Sequence, residues 1–144
     1  WAQLYIGHAR LQADELELAQ NAYRASIIIR EELDQPSLSM EPIAGLAAVH
    51  LAMNDLESAA LSAEKILKFL SDGSTLDGTE EPLRVYYTCY QYLERIKDPR
   101  SKKVLQDANQ LLEVQVSKFS DIEARNRYIE NIPWRRAIHD AAQP

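Results

Sequence analysis

Apolar positions along this chain recur at steps of three and four residues, in blocks separated by short polar turns, and that spacing predicts amphipathic helices throughout. Leu4, Ile6, Ala9 and Leu11 give an opening helix, and Asp14 is placed to cap the next one, whose buried stripe is Leu16, Ala19, Tyr23, Ser26 and Ile27. Pro36 stops that helix and Ser37 is the expected cap of a third, with Pro42 in its first turn. Ala44, Ala47, Ala48 and Ala52 make the third helix slim. After the Asn54-Asp55 turn, the stripe Leu56, Ala59, Ala63, Ile66, Leu67 and Leu70 defines its partner. Residues 71–79 form the one longer loop, with Gly73 as an expected helix terminator and Thr79 as an expected cap.

Leu83, Val85, Tyr86, Cys89, Tyr90, Leu93 and Ile96 then mark an inward face, and Pro99 opens a helix with the stripe Val104, Leu105, Ala108, Leu111, Leu112, Val116 and Phe119. Ser120 to Glu123 reads as a capping box before a short helix holding Ile122, Tyr128, Ile129 and Ile132, which Pro133 ends; residues 134–142 make the last short helix. Three helical hairpins (about 1–33, 38–71 and 80–119) and a terminal capping pair (about 120–142) follow.

The first two hairpins are copies. Leu16-Glu17-Leu18-Ala19 returns as Leu56-Glu57-Ser58-Ala59 forty residues on, and Ile6-Gly7 returns as Leu46-Ala47 at the same offset. The third hairpin drifts to an offset of 42 or 43. A fixed period of this size signals stacked helical units, each too small to bury its own apolar face. The expected fold is all-α: one domain over residues 1–144, a right-handed superhelical stack of antiparallel hairpins.

These residues resemble the tetratricopeptide (TPR) family. Ile6-Gly7, Ala19 and Tyr23 fall where that repeat places its large–small pair, its alanine and its aromatic, and Leu46-Ala47 and Ala59 do so in the second unit. Ala63 replaces the second aromatic, and the usual closing proline is missing. The forty-residue spacing is similar to the long repeats at the C-terminal end of large bacterial signalling proteins: STAND ATPases, nucleotide cyclases and transcriptional activators. Segments 37–47, 76–86 and 128–133 also resemble the closing repeats of such chains. The resemblance implies a cytoplasmic sensor or docking arm that binds a protein, a peptide or another domain of the same parent. Trp1 opens mid-pattern without an initiator Met, which predicts a piece of something longer.

Composition narrows the chemistry. Among 144 residues, 46% are hydrophobic while Gly and Pro number only 4 and 6, which suits a folded helical domain. The net charge of −6 sits in the front half: residues 1–80 hold 5 basic and 13 acidic side chains. The later basic residues Arg95, Lys97, Arg100, Lys102 and Lys103 are interleaved with acids, so no nucleic-acid partner is expected. No apolar run approaches the ~20 residues that span a bilayer, so no membrane partner is expected either. The lone Cys89 reads as a buried hydrophobe of a reducing compartment. Gly73 and Gly78 lack a phosphate-loop lysine, and His8, His50 and His139 lack partners at metal-ligand spacing. The expectation is therefore no catalytic residue, no metal and no cofactor.

What remains is a binding groove. In a hairpin stack the first helix of each unit lines the concave side, which yields Leu4, His8, Leu11 and Gln12, then Glu41, Ala44, Ala48, Leu51 and Ala52, then Arg84, Tyr87, Gln91, Glu94 and Arg95. Tyr and Arg dominate binding hot spots, so Tyr87, Arg84 and Arg95 are the expected anchors, with the alanines leaving room for an incoming chain. Self-association through an exposed end of the stack, giving a homo-oligomer, is the alternative expectation.

Overall fold

The computed structural model describes residues 1–144 as eight helices and no strand: α1 (Ala2–Gln12), α2 (Leu16–Glu32), α3 (Pro36–Ala52), α4 (Leu56–Ser71), α5 (Pro82–Arg95), α6 (Arg100–Val116), α7 (Ile122–Glu130) and α8 (Pro133–Ala141). The all-helical reading agrees with this order.

The turns share one device. Asp14, Asp34, Asn54 and Lys97 take left-handed backbone conformations (φ 61°, 52°, 58° and 55°). The residue after each donates its N–H back across the turn, Glu15 to the Arg10 carbonyl (2.9 Å), Gln35 to Arg30 (2.9 Å), Asp55 to His50 (2.8 Å) and Asp98 to Leu93 (2.8 Å). This six-to-one bond is the Schellman closure, which satisfies the orphaned carbonyls at a helix end. Asp14 therefore closes α1 rather than capping α2, because Asp tolerates the left-handed region. Gly73 after α4 is also left-handed, at φ 86° with its N–H on the Leu70 carbonyl, but the six-to-one bond is not made there.

Other expected caps move by a residue or two. Gln35, not Ser37, precedes α3, and Pro36 is its first residue rather than the stop of α2. Pro42 consequently lies in the second turn and leaves the Leu38 carbonyl without its helical donor. Thr79 does not cap α5; its hydroxyl donates to the Ser37 carbonyl and ties the loop to α3 (3.3 Å). Asp121 rather than Ser120 caps α7, accepting from the Glu123 N–H (3.2 Å). Asp55 does cap α4, through Ser58 (3.0 Å).

Each helix packs on the next within its hairpin. Beyond that, α1 packs on α3, α3 on α5 and α5 on α8, while α2, α4 and α6 make no contact with one another. Each second helix also packs on the first helix of the following pair, α2 on α3 and α4 on α5, and α6 packs on α8. α1 does not pack on α5, although its Tyr5 hydroxyl donates to Glu80 just ahead of that helix (2.6 Å). The core is correspondingly divided. Leu4, Ala19, Tyr23 and Val49 join the first two hairpins; Ala44, Ala63, Ile66, Cys89 and Leu93 join the second and third; Leu83, Ala108, Leu112, Ile129 and Ile138 seal the far end. In that last cluster α8 takes the place the next first helix would hold. Ile6 and Ile96, expected inside, are 44% and 39% exposed.

Candidate docking surface between the third and fifth helices

The expected groove residues separate into three groups. Leu51, Gln91, Glu94 and Arg95 come together with Ala48, Ala52 and Tyr90 around an open cleft of about 620 Å³ between the C-terminal halves of α3 and α5. Its floor is slim because Ala48 and Ala52 lie one turn apart on α3 and stop at Cβ. Leu51 supplies the apolar wall. Across the gap stand Gln91 and Glu94, both exposed and both without a side-chain partner in the chain. Arg95 closes one end by donating to the Asn54 side-chain oxygen (2.6 Å), which fixes the end of α5 to the α3–α4 turn. Burial, with help from the Glu94 charge, raises the Tyr90 phenol above its ordinary value of 10.0, so it stays a neutral hydrogen-bond donor.

Arg84 and Tyr87 stand apart from this cleft. The Arg84 guanidinium lies over the Trp134 ring at 4.8 Å, and Tyr87 packs against the C-terminal core cluster. The cause is α8. By taking the next first-helix place against α5 it covers the N-terminal half of the face that was expected to be free. Glu81 fastens it there, accepting from Trp134 Nε1 (3.2 Å) and Arg135 Nη2 (3.0 Å).

His8 and Gln12 are also elsewhere, because α1 does not pack on α5. Gln12 is exposed. His8 belongs to a polar chain through the first inter-hairpin interface: its Nδ1 lies 2.7 Å from the Tyr23 hydroxyl and its Nε2 lies 3.3 Å from Glu41 Oε1. A ring donating from Nε2 to the carboxylate accepts at Nδ1 from the tyrosine, while the buried second oxygen of Glu41 has no partner in the chain. Burial pushes the Tyr23 phenol up to about 12, with Arg84 opposing and Glu41 reinforcing. Tyr23 has no exposed surface, so this carboxylate–imidazole–phenol sequence meets no substrate. It pins a ring. Glu41 and Ala44, expected to line the groove, are 3% and 2% exposed and sit in the same interface row.

The remaining candidate chemistry is structural. Cys89 is fully buried and its thiol is pushed up to about 12, leaving no thiolate at neutral pH. No three His, Cys, Asp or Glu side chains converge as metal ligands. Arg100 is forked onto Glu64 (2.6 and 2.9 Å) and reaches Asp98 (2.8 Å), Lys103 pairs with Asp107 and Arg135 with Glu81, so these three basic residues meet acids within the chain, whereas Lys97 and Lys102 do not. No helix is long and apolar enough to cross a membrane.

Tyr90 is the cleft residue that periodicity assigned to the core. It stands three residues after Tyr87 and four before Glu94, so the signal for its place on the open face was present. No known protein family, curated protein or solved structure matches this chain.

Proposed function

We propose that this protein is a TPR-like superhelical stack whose work is protein–protein interaction, taking a peptide or helix of its partner into the cleft between α3 and α5. The observation that carries this reading is the cleft itself, about 620 Å³ with an alanine floor, an apolar wall at Leu51, and polar groups at Gln91 and Glu94 that the fold leaves unused. An extended or helical segment fits such a surface because backbone amides can meet Gln91 and Glu94 while a small apolar side chain enters between Ala48 and Ala52. Tyr90 and Arg95 are the anchors in this reading, displacing Tyr87 and Arg84, which α8 holds. The resemblance to long bacterial repeats supports a role as a cytoplasmic sensor arm of a signalling or transcription-regulatory protein.

Filling the cleft tests it. Peptides selected from a random library against the parent chain should bind with affinities that Ala52→Trp reduces at least about tenfold, since Ala52 is exposed and its replacement leaves the core intact. Glu94→Lys should change which peptides are selected. Selected peptides that bind Ala52→Trp and parent equally would place the docking surface somewhere else.

A further inference from the structure

Between the second helices of the second and third hairpins lies a pocket of about 590 Å³ that shares no residue with the cleft between α3 and α5. α4 and α6 do not pack on one another, and Tyr86 of α5 lines the groove that this leaves. Its walls are Leu67 and Leu70 of α4, both half-buried, and Val104 of α6, which is buried. These side chains belong to one hydrophobic cluster with the Tyr86 ring. Each wall runs for two helical turns, from Glu64 to Ser71 and from Arg100 to Asp107, or about 10 Å. One end is shut. There the Arg100 fork onto Glu64 joins α4 to α6 at the first residue of α6, where the groove meets the α5–α6 turn. A polypeptide laid along the groove would run into this ion pair, whereas a pocket of this volume with one closed end suits a small molecule.

The charged groups of this pocket are unequally used. Five line it: Glu64, Lys68, Arg100, Lys103 and Asp107. Arg100 and Glu64 hold each other, with Asp98 sharing the guanidinium, and Lys103 pairs with Asp107 on its own helix. Lys68 is left over, exposed at the rim and making no ion pair even with Asp72 one turn on. The Tyr86 hydroxyl is bonded to nothing in the chain. Burial, and after it the Asp107 charge, raises this phenol above its ordinary value of 10.0, so it keeps its proton and can donate. Both carboxylates of the lining are therefore engaged, and what stays unengaged beside the apolar wall is an ammonium and a hydroxyl donor. We infer that the pocket takes a small amphipathic monoanion, a medium-chain carboxylate whose body lies on Leu67, Leu70, Val104 and the Tyr86 ring and whose head meets Lys68 and the Tyr86 hydroxyl. An ammonium head would face Lys68, Arg100 and Lys103 and find only acids that already have partners. A neutral head would gain the apolar contact alone. The inference is independent of peptide docking between α3 and α5.

Isothermal titration calorimetry of the full chain with octanoate, kept below its micellar range, tests this. The expected result is one octanoate per chain with a Kd below about 1 mM. Octanol (the body without the charge), acetate (the charge without the body) and octylammonium should each bind at least about tenfold more weakly. Lys68→Gln, at an exposed position, should weaken octanoate about tenfold while leaving octanol binding and helical circular dichroism unchanged. Ser71→Trp, at the exposed last residue of α4, should weaken octanoate and octanol alike by filling the pocket. Lys102→Gln removes an exposed cation of α6 outside the lining and should bind like the parent. Absence of saturable octanoate binding overturns the proposal. So does binding that Lys68→Gln leaves unchanged, or octylammonium as tight as octanoate. Library peptides that bind the parent but not Ser71→Trp would give the pocket to a protein partner and overturn it as well.

Discussion

Replacing Gly45 by alanine is the sharpest test of how the first two hairpins are joined. A Cβ at Gly45 would fall 2.3 Å from the Tyr23 ring, and one at Gly7 would fall 2.6 Å from the same ring on its other side. Carbon atoms meet without strain at about 3.5–4.0 Å, so the ring must move by more than about 1 Å, and the opposite glycine helix blocks its retreat. Its hydroxyl is held by His8 as well. At so short an approach, overpacking falls in the upper part of its usual range, about 2–3 kcal/mol, while removing a helix-interior glycine returns about 1 kcal/mol. The net expectation for Gly45→Ala is a loss of about 1–2 kcal/mol, measured by urea unfolding followed through helical circular dichroism. In a Tyr23→Leu background the clash is gone, so the same change should become neutral or stabilising, a coupling of about 2 kcal/mol. Gly73→Ala supplies the contrast. Nothing lies within 4 Å of a Cβ there, and its cost comes from the φ of +86°, so Tyr23→Leu should leave it untouched. A Gly45→Ala protein as stable as the parent, or an equal loss with and without the ring, would refute the wedge.

Two further outcomes follow from buried polar groups. Burial of His50 holds its imidazole below the ordinary 6.5, with Asp55 opposing and Arg24 reinforcing. The unfolded chain therefore takes the proton first, and stability should fall as pH drops from about 7.5 through 6.5; His50→Gln should flatten that decline, which pH-resolved urea titrations would show. Asp55, Glu64 and Asp98, lowered mainly by hydrogen bonds to Ser58 or Arg100, give a separate loss beginning only near 4 and below. Glu81→Ala should cost about 1–3 kcal/mol by orphaning Arg135, whose side chain is 14% exposed, and should speed amide exchange in residues 133–141 while α1–α4 stay protected. Unchanged protection in α8 would mean that Trp134 and Ile138 hold it without the ion pair.

Much of this fold was legible because helices of this chain start every twenty residues, at Leu16, Pro36 and Leu56, and period alone reveals such a plan. The caps were less legible for a physical reason. A three-residue turn such as Ala13-Asp14-Glu15 puts every residue within reach of both helices, and aspartate suits either the N-cap or the left-handed closing position. Choosing between them depends on which carbonyl the following N–H finds. The cleft was half legible: spacing put Leu51, Gln91, Glu94 and Arg95 on open faces. It could not say that α8, carried on a chain reversal at residues 131–132, would return to cover Arg84 and Tyr87.

The places where the repeat breaks carry the same lesson about volume. Tyr23 of α2 projects between Gly7 and Gly45, so the first interface is filled from the second helix of its hairpin. Forty residues on, that aromatic is Ala63, fully buried yet too small to fill an equivalent gap. In the cluster around Ala63, Tyr92 and Leu93 of α5 supply the bulk instead, coming from the following unit rather than the preceding one. Close packing demands that the volume be made up, but it does not specify the donor. A residue lost between the two copies is therefore visible along the chain, whereas its replacement becomes visible only once the neighbouring hairpin is in place. The open cleft between α3 and α5 lies along this same pair of helices, beyond the reach of Tyr92, where Ala48 and Ala52 have no such compensation.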